Sequence, residues 1–485
     1  MIHSYEYCIS KYKEIGHVTA IRGSIVEIIG LSKVGVGEGV AFETGEHGMV
    51  LSFDREKAEI LVLSRISLKP HTKAVRTGSQ LTVSCGEGIL GHTLDAFGYA
   101  KDERRERSDF PEKRPIIIPA PGMSKRREVK EFMSTGVSVV DIMIPIGRGQ
   151  RELIIGDRKT GKTQFLLQTV LAQSNLGKIC ILGLIGKKKE EVKKIEEFLK
   201  SYGVMEKCVI VAADSHDSSG EIFIAPYTAM TLAEYFRDKG ADVLLILDDL
   251  TTHAKYYREV SLLGRRFPGR ESYPGDVFYI QSSLLERAGN FAIDGISSSI
   301  TCLPVAESQE GDITGYIQTN LMSMTDGHIY FDSGLFFKGV RPAVNVFMSV
   351  TRVGRQTQTP LARDIEGKVM SLLKKYEDLQ RFLRFGPEIS DEVQNILKLG
   401  DSVHRLFNQT EVQPILPNVQ IILLSLIWLG LWNGKGALLF SKAYEIDPKL
   451  KNKIDTLINS TSTFDVLNNK LKFENSYLTE VFTGK

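Results

Sequence analysis

The chain reads as a multidomain protein in three parts: a small β-barrel or sandwich, a central phosphate-loop α/β domain and a carboxy-terminal α-helical bundle. Three observations predict this. Short alternating apolar runs fill the amino end, the octapeptide 156–163 directly follows an apolar run, and helical periodicity without strand signals takes over after Gly354. At 485 residues the chain exceeds what one hydrophobic core usually serves, so about two to four domains are expected. We set the expected boundaries at 1–80, 81–355 and 356–485.

Met1 to Gly16 mixes Glu, Lys, Tyr and His without an apolar core, so neither a signal peptide nor a transit peptide is expected. From Gly16 to Ser84 the apolar runs are Ser24 to Ile29, Gly37 to Phe42, Met49 to Phe53, Ala58 to Leu63 and Gln80 to Cys85, a spacing that predicts the barrel or sandwich. Lys101 to Arg127, with Pro111, Pro115, Pro119 and Pro121, reads as an irregular connector. Between Val129 and Thr351 the runs Leu153–Ile155, Ile179–Leu184, Val209–Ala213 and Val243–Leu247 alternate with helical patterns, which predicts a parallel sheet with crossover helices. Leu361–Phe385 and Glu392–Phe407 then carry helical periodicity. Val412 to Gly434 is uncharged, but its most apolar part, Ile421–Trp432, is 12 residues, short of the roughly 20 that span a bilayer, and a buried helix is expected.

With 61 basic and 59 acidic residues the formal charge is +2, which provides no electrostatic footprint for nucleic acid. Cys8, Cys85, Cys180, Cys208 and Cys302 lie far apart without metal-type spacing and read as reduced core residues.

Gly156-Asp157-Arg158-Lys159-Thr160-Gly161-Lys162-Thr163 fits G-x-x-x-x-G-K-[ST] at every fixed position. Its glycines let backbone N–H groups turn inward as an anion nest, Lys162 can reach the outer phosphates, and the Thr163 hydroxyl can ligate the accompanying Mg²⁺. The chain is therefore expected to bind a nucleoside triphosphate. Val243–Leu247 ends in Asp248 and Asp249, and Asp248 is the expected holder of the Mg²⁺ water shell, although buried strands often end in Asp for solvation alone. Hydrolytic relatives of this architecture need a carboxylate near position 187, where this chain has Lys187, which cannot act as a base while charged. The lysines there also begin a solvated helix with the apolar stripe Val192, Ile195, Phe198 and Leu199 and the spacing for a Glu190–Lys194 pair. From spacing alone Arg352 is an ordinary salt-bridge partner.

The stretch from Asp141 through Arg158 resembles the α subunit of F-type (rotary) ATP synthases. Pro268 to Tyr279, Leu284 to Arg287, Thr325 to Gly327, Gly339 to Asn345 and Ser349 to Gly354 follow the same family in order. The resemblance implies a β-barrel crown, a RecA-like nucleotide domain and a helical bundle, alternating with β subunits around a rotating γ shaft. It further implies that ATP or ADP with Mg²⁺ is bound without hydrolysis by residues 156–163, Asp248 and Gln409. Arg352 then matches the arginine finger acting on the neighbouring β site, and Ser349 a position needed for activity. Ion transport (H⁺ or Na⁺), contact with the δ subunit and peripheral stalk, and peripheral placement on the cytoplasmic face of the plasma membrane, or an organellar equivalent, follow from the same resemblance.

The chain departs from the family at Lys187, where Gln is usual, at Lys159 in the phosphate loop, and at Glu411 in the expected adenine region. Its amino terminus and the stretch from Ala288 to Ile300 are shorter than usual. A competing reading is a self-assembling RecA-like hexameric motor, an RNA translocase or export ATPase, which requires hydrolysis by this chain alone. A ring-building protein without nucleotide function is the third, opposed by Lys162, Thr163 and Asp248.

Overall fold

A computed structural model describes residues 5–65, 68–101, 110, 112–293, 295–383, 390–432 and 436–473. Two compact units emerge: Met1–Glu128 with Ser174–Ser308 and Asp312–Thr325, and Val129–Gln173 with Gln309–Gly311 and Asp326–Lys485.

In the first unit six antiparallel strands close a barrel: β1 (Gly16–Arg22), β2 (Ile25–Ile29), β3 (Glu38–Phe42), β4 (His47–Phe53), β5 (Lys57–Val62) and β6 (Lys73–Gln80), in the order β1-β2-β5-β4-β3-β6. Closure decides between barrel and sandwich, and it leaves no open edge for aggregation. Val18, Val26, Ile28, Val40, Phe42, Val50 and Ile60 fill the interior. Two strands carry no clear apolar alternation: β6 is rich in Lys, Thr, Ser and Gly, and β1 holds few large apolar residues. The expected run Gln80–Cys85 corrects differently. Thr82–Cys85 leaves the barrel and pairs with Glu112–Pro115, so part of the expected irregular connector is a strand; residues 102–109 and Pro111 lie outside the described residues. The helix Tyr5–Tyr12 buries Cys8 against Ala41 and Val75 of the barrel wall.

The same unit holds a parallel sheet in the order Thr93–Leu94, Cys208–Asp214, Ile179–Lys187, Val243–Asp248, Ile296–Glu307, with Gly289–Ile293 antiparallel on the last. These strands are apolar on both faces because helices cover both sides of such a sheet. The helix Ser219–Asp238 is buried almost throughout and starts from a capping box in which Ser218 Oγ accepts the Glu221 N–H. Val192, Ile195 and Leu199 of the Lys189–Ser201 helix are buried as expected, and Phe198 lies against Tyr202. Its ion pairs are Lys193–Glu197 and Glu196–Lys200.

In the second unit Glu152–Gly156 runs parallel to Gly327–Phe331, which pairs antiparallel with Val350–Thr351. The helices Pro360–Leu383, Asp391–Phe407, Pro417–Trp428, Ala437–Ile446, Pro448–Asn459 and Phe464–Phe473 form the carboxy-terminal region. Pro417–Trp428 is the uncharged segment, and Val419, Ile422, Leu423, Leu424, Leu426 and Ile427 bury it on every side. Trp428 meets Phe464 edge to face with ring centroids 5.3 Å apart. Among the described residues no helix is long and apolar enough to cross a membrane. All five cysteines are buried.

Candidate functional site

The phosphate loop belongs to the second unit. The buried strand Glu152–Gly156 enters it, and the helix Lys162–Asn175 leaves it. Gly161 has φ +95°, a conformation that excludes most side chains, and Lys159 also sits at positive φ, +63°. Lys162 Nζ donates to the carbonyls of Gly156 and Asp157, each at 2.6 Å, which curls the loop around its own ammonium. Thr160 Oγ1 donates to Asp157 O at 2.8 Å, and the Asp157 carboxylate accepts the Gly311 N–H at 2.9 Å. Arg158, Lys159 and Thr163 face solvent. The first turn of a helix leaves N–H groups without intrahelical partners, so this arrangement attracts an anion both by hydrogen bonding and by the helix dipole.

The helix behind the loop is braced by amides. Gln164 Nε2 donates to Thr410 O at 3.0 Å, and Gln168 Nε2 reaches Gly136 O and Gln413 O at 2.9 and 3.1 Å. Gly136 is held in turn by Asp141, whose buried carboxylate accepts from Thr135 N and Oγ1, Ser134 Oγ, Gly136 N and Gln420 Nε2. Burial pushes the Asp141 pKa up, against the lowering effect of these bonds. Gln409, expected to touch nucleotide, has its amide engaged at both ends: Oε1 accepts Ser138 N–H at 2.7 Å and Nε2 donates to Gly136 O at 3.1 Å. It acts as a brace for the 136–138 turn, while Glu411 is exposed. Sequence reasoning missed Gln164, Gln168, Asp141 and Gln420; the available signal was the pair of amides spaced i, i+4 beside the buried Phe165 and Leu166.

The acid pair lies in the first unit. A β-bulge between Ile185 and Lys187, with Gly186 at φ +64°, interrupts the register of the Ile179–Lys187 strand. A side chain at 186 would also strike Thr252, its Cβ lying 2.8 Å from Thr252 Cγ2. Beyond the bulge the Lys187 ammonium stands 2.7 Å from Asp248 Oδ1 and 3.7 Å from Asp249 Oδ2. Burial works to lower the Lys187 pKa, but the charges of Asp248 and Asp249 outweigh it and hold the group above its ordinary value, firmly charged. Asp249 caps the helix Leu250–Leu263, accepting Thr252 N–H at 2.6 Å and Thr252 Oγ1 at 3.1 Å. Burial pushes Asp249 up to about 6, with Lys187 pulling the other way.

Magnesium demands oxygen ligands, among them carboxylate, hydroxyl and water, in near-octahedral geometry. Thr163, exposed at the helix start, fits that demand. The acid pair does not: an ammonium already sits on Asp248 Oδ1, and both Asp249 oxygens serve Thr252.

Arg352 is exposed on a rigid base in the second unit. Its N–H donates to Asp326 O at 3.0 Å, and its neighbour Thr351 Oγ1 donates to Pro145 O and accepts the Gly354 N–H. Ser349 Oγ accepts Tyr330 N–H at 3.0 Å and donates to Asn345 O at 2.7 Å, stapling the segment before Arg352 to the Gly327–Phe331 strand. Buried Glu152 carries a strongly raised pKa, driven by burial and opposed by the Gln150 hydrogen bond and the Arg352 charge. Among the described residues the Arg352 guanidinium makes no side-chain ion pair, so the spacing-based expectation of a salt-bridge partner is not met.

Comparison with known proteins places these features in a family. Residues 136–351 match the model of the nucleotide-binding domain of the ATP synthase alpha/beta family, and residues 358–434 match that of the C-terminal domain of the same family. The protein is 41% identical over 411 residues to an ATP synthase subunit alpha of Caldanaerobacter subterraneus subsp. tengcongensis, an alignment covering 84% of its own length and 81% of that relative.

Proposed function

Since the chain belongs to the ATP synthase alpha/beta family, we propose that it is the non-catalytic, regulatory nucleotide-binding α subunit of a rotary ATP synthase head. The observation that carries this reading is Lys187. A hydrolytic site needs a carboxylate to take a proton from the attacking water, and here the side chain beside Asp248 is a charged ammonium with no lone pair to offer. Residues 156–163 hold the phosphates of ATP or ADP through backbone N–H groups and Lys162, and Thr163 is the residue suited to an accompanying Mg²⁺.

Catalysis takes place on a neighbouring β subunit in this reading. Arg352, exposed on a segment that Ser349 and Thr351 hold still, reaches into that site and offsets negative charge developing on the transferring phosphoryl group. Ser349 is a positioning residue: its hydroxyl fixes the backbone from which the arginine projects. The remaining parts of the assembly are a γ shaft, a δ subunit with peripheral stalk, and a membrane sector that moves H⁺ or Na⁺ on the cytoplasmic face of the plasma membrane or an organellar equivalent.

Purification from the native cell in gentle detergent tests the reading. A β partner with a shaft and a membrane ring, together with no ATP hydrolysis by the isolated protein, is the expected result. A homo-hexamer that hydrolyses ATP without β overturns it.

A further inference from the structure

Glu152 is the buried acid that the nucleotide-binding reading leaves without a task. It stands in register with Gly327 on the neighbouring strand, and Gly327 stands in register with Thr351 on the next, so the three residues form one row across the sheet. The middle member has no side chain, and the Glu152 carboxyl occupies that space: a Cβ on Gly327 would lie 2.6 Å from its Oε2 and 2.8 Å from its Oε1. Gln150 joins the two ends of the row. Its Nε2 donates to Glu152 Oε2 at 2.6 Å and to Thr351 Oγ1 at 3.1 Å, while its own Oε1 accepts the Gly147 N–H at 2.8 Å. Thr351 directly precedes Arg352, so the acid is tied through one amide to the base of the arginine.

The carboxyl is enclosed and only half satisfied. Glu152 has 0% exposure, and its Oε1 has no hydrogen-bond partner among the described residues. A carboxylate in such a place is costly unless it is paired, so the neutral acid is the form that fits. Burial and the Asp326 charge push its pKa up, against the Gln150 hydrogen bond and the Arg352 charge. Asp326 is itself occupied by Arg151, which donates from Nη2 to Oδ1 at 2.8 Å and from Nε to Oδ2 at 3.1 Å. His328, whose pKa burial and the Arg352 charge hold below its ordinary value, bonds Met348 O at 2.9 Å. Arg352 is therefore the cation whose charge favours ionised Glu152. Such coupling is reciprocal: ionised Glu152 favours the arginine positions nearest to it by the same free energy.

We propose that Glu152 is a proton-controlled positioning residue for Arg352: as the neutral acid it holds Thr351 through Gln150 and lets the arginine reach outward, and on ionising it draws the guanidinium back. The proposal rests on the arginine-finger reading above and deepens it by adding control by pH to the same site. Gly327 is part of the device, since any side chain there would displace the acid from the row.

ATP turnover of the natural complex, followed from about pH 6 to about pH 9 beside complexes carrying Glu152→Gln or Glu152→Leu, tests this. Glu152→Gln keeps an acceptor for Gln150 and cannot ionise, so over that range the natural complex is expected to lose about 5-fold in kcat relative to it. Glu152→Leu guards against a Glu152→Gln protein that fails to fold. It removes the same fall but leaves Gln150 without its acceptor, so at pH near 6 it is expected to run about 5-fold slower than the natural complex, with KM within about 2-fold. A fall of equal size in the natural complex and in either variant, or a Glu152→Leu complex as fast as the natural one at the acid end, overturns the proposal. An Arg352→Ala complex with unchanged turnover at every pH overturns the arginine-finger reading instead, which keeps the two failures apart.

Discussion

At the phosphate loop, charge recognition is built from backbone: the N–H groups of a helix start, a left-handed glycine and one lysine folded onto two carbonyls. At the end of the Val243–Asp248 strand it is built from side chains alone, and one of them, Lys187, has brought a positive charge where a metal is expected. The difference teaches where such a protein is free to change. A backbone nest depends on spacing and φ, so it is kept whole or lost; a side-chain cluster can be converted by one residue while the fold around it stands.

The sharpest way to separate the two regions from catalysis is Arg352→Ala. In the assembled complex it is expected to lower ATP turnover about 10³-fold while ATP retention by the isolated protein stays unchanged, if the arginine acts on a neighbour as proposed. Loss of ATP retention in the same variant would join what the comparison holds apart. Next in size is Lys162→Ala, which removes the buried ammonium around which the loop curls. Equilibrium dialysis is expected to show a roughly 100-fold weaker Kd for ATP, in Mg²⁺ and in EDTA alike.

A third prediction concerns the packing behind the acid pair. His253, buried against Phe223 and Tyr227, has its pKa pushed down to about 4 by burial, partly countered by its bond to Phe223 O. The native state thus refuses a proton that the unfolded protein takes up near pH 6.5, so this stabilisation is complete above that pH and is lost as pH falls toward 4. Between pH 6.5 and 5 the natural protein should lose about 1.5 kcal/mol more than His253→Gln, read from urea titrations at the two pH values. Asp95 and Asp249, pushed up to about 6 chiefly by burial, act in the opposite sense and are common to both proteins. Equal losses in the two proteins would show that His253 does not govern acid sensitivity there.

The smallest expected effect is that of Ser349→Ala. Losing one hydroxyl that joins Tyr330 N–H to Asn345 O should slow turnover of the complex roughly 5-fold, as expected for about 1 kcal/mol of lost positioning. Measured beside Arg352→Ala, it tells apart the group that meets the reaction from the one that aims it.

Much of this was legible in the residue order. The strand 152–156, the octapeptide and the helix after it are contiguous, so spacing alone specifies them. The amphipathic stripe of Lys189–Ser201 and the all-round apolar Pro417–Trp428 helix were equally open to reading, since 3.6-residue periodicity is a local property. The strand β6 was not, because its buried residues are the adjacent Ala74 and Val75 and the polar Thr77, which leave no apolar alternation to read. The roles of Gln409 and Gln420 were hidden for another reason. Their partners Gly136 and Asp141 lie 273 and 279 positions away, and nothing in a local pattern pairs residues at such distance.

By itself the sequence determined the phosphate loop, the sequence of barrel, α/β and helical parts, and the family resemblance, because these rest on short-range spacing and on ordered motifs. Only the tertiary structure decided that Gln409 serves the backbone, that Arg352 stands exposed on a stapled segment, and that the Lys187 ammonium rests on Asp248. Those outcomes depend on a bulge, on strand register and on burial, which set distances between residues far apart in the sequence and which no window of residues contains.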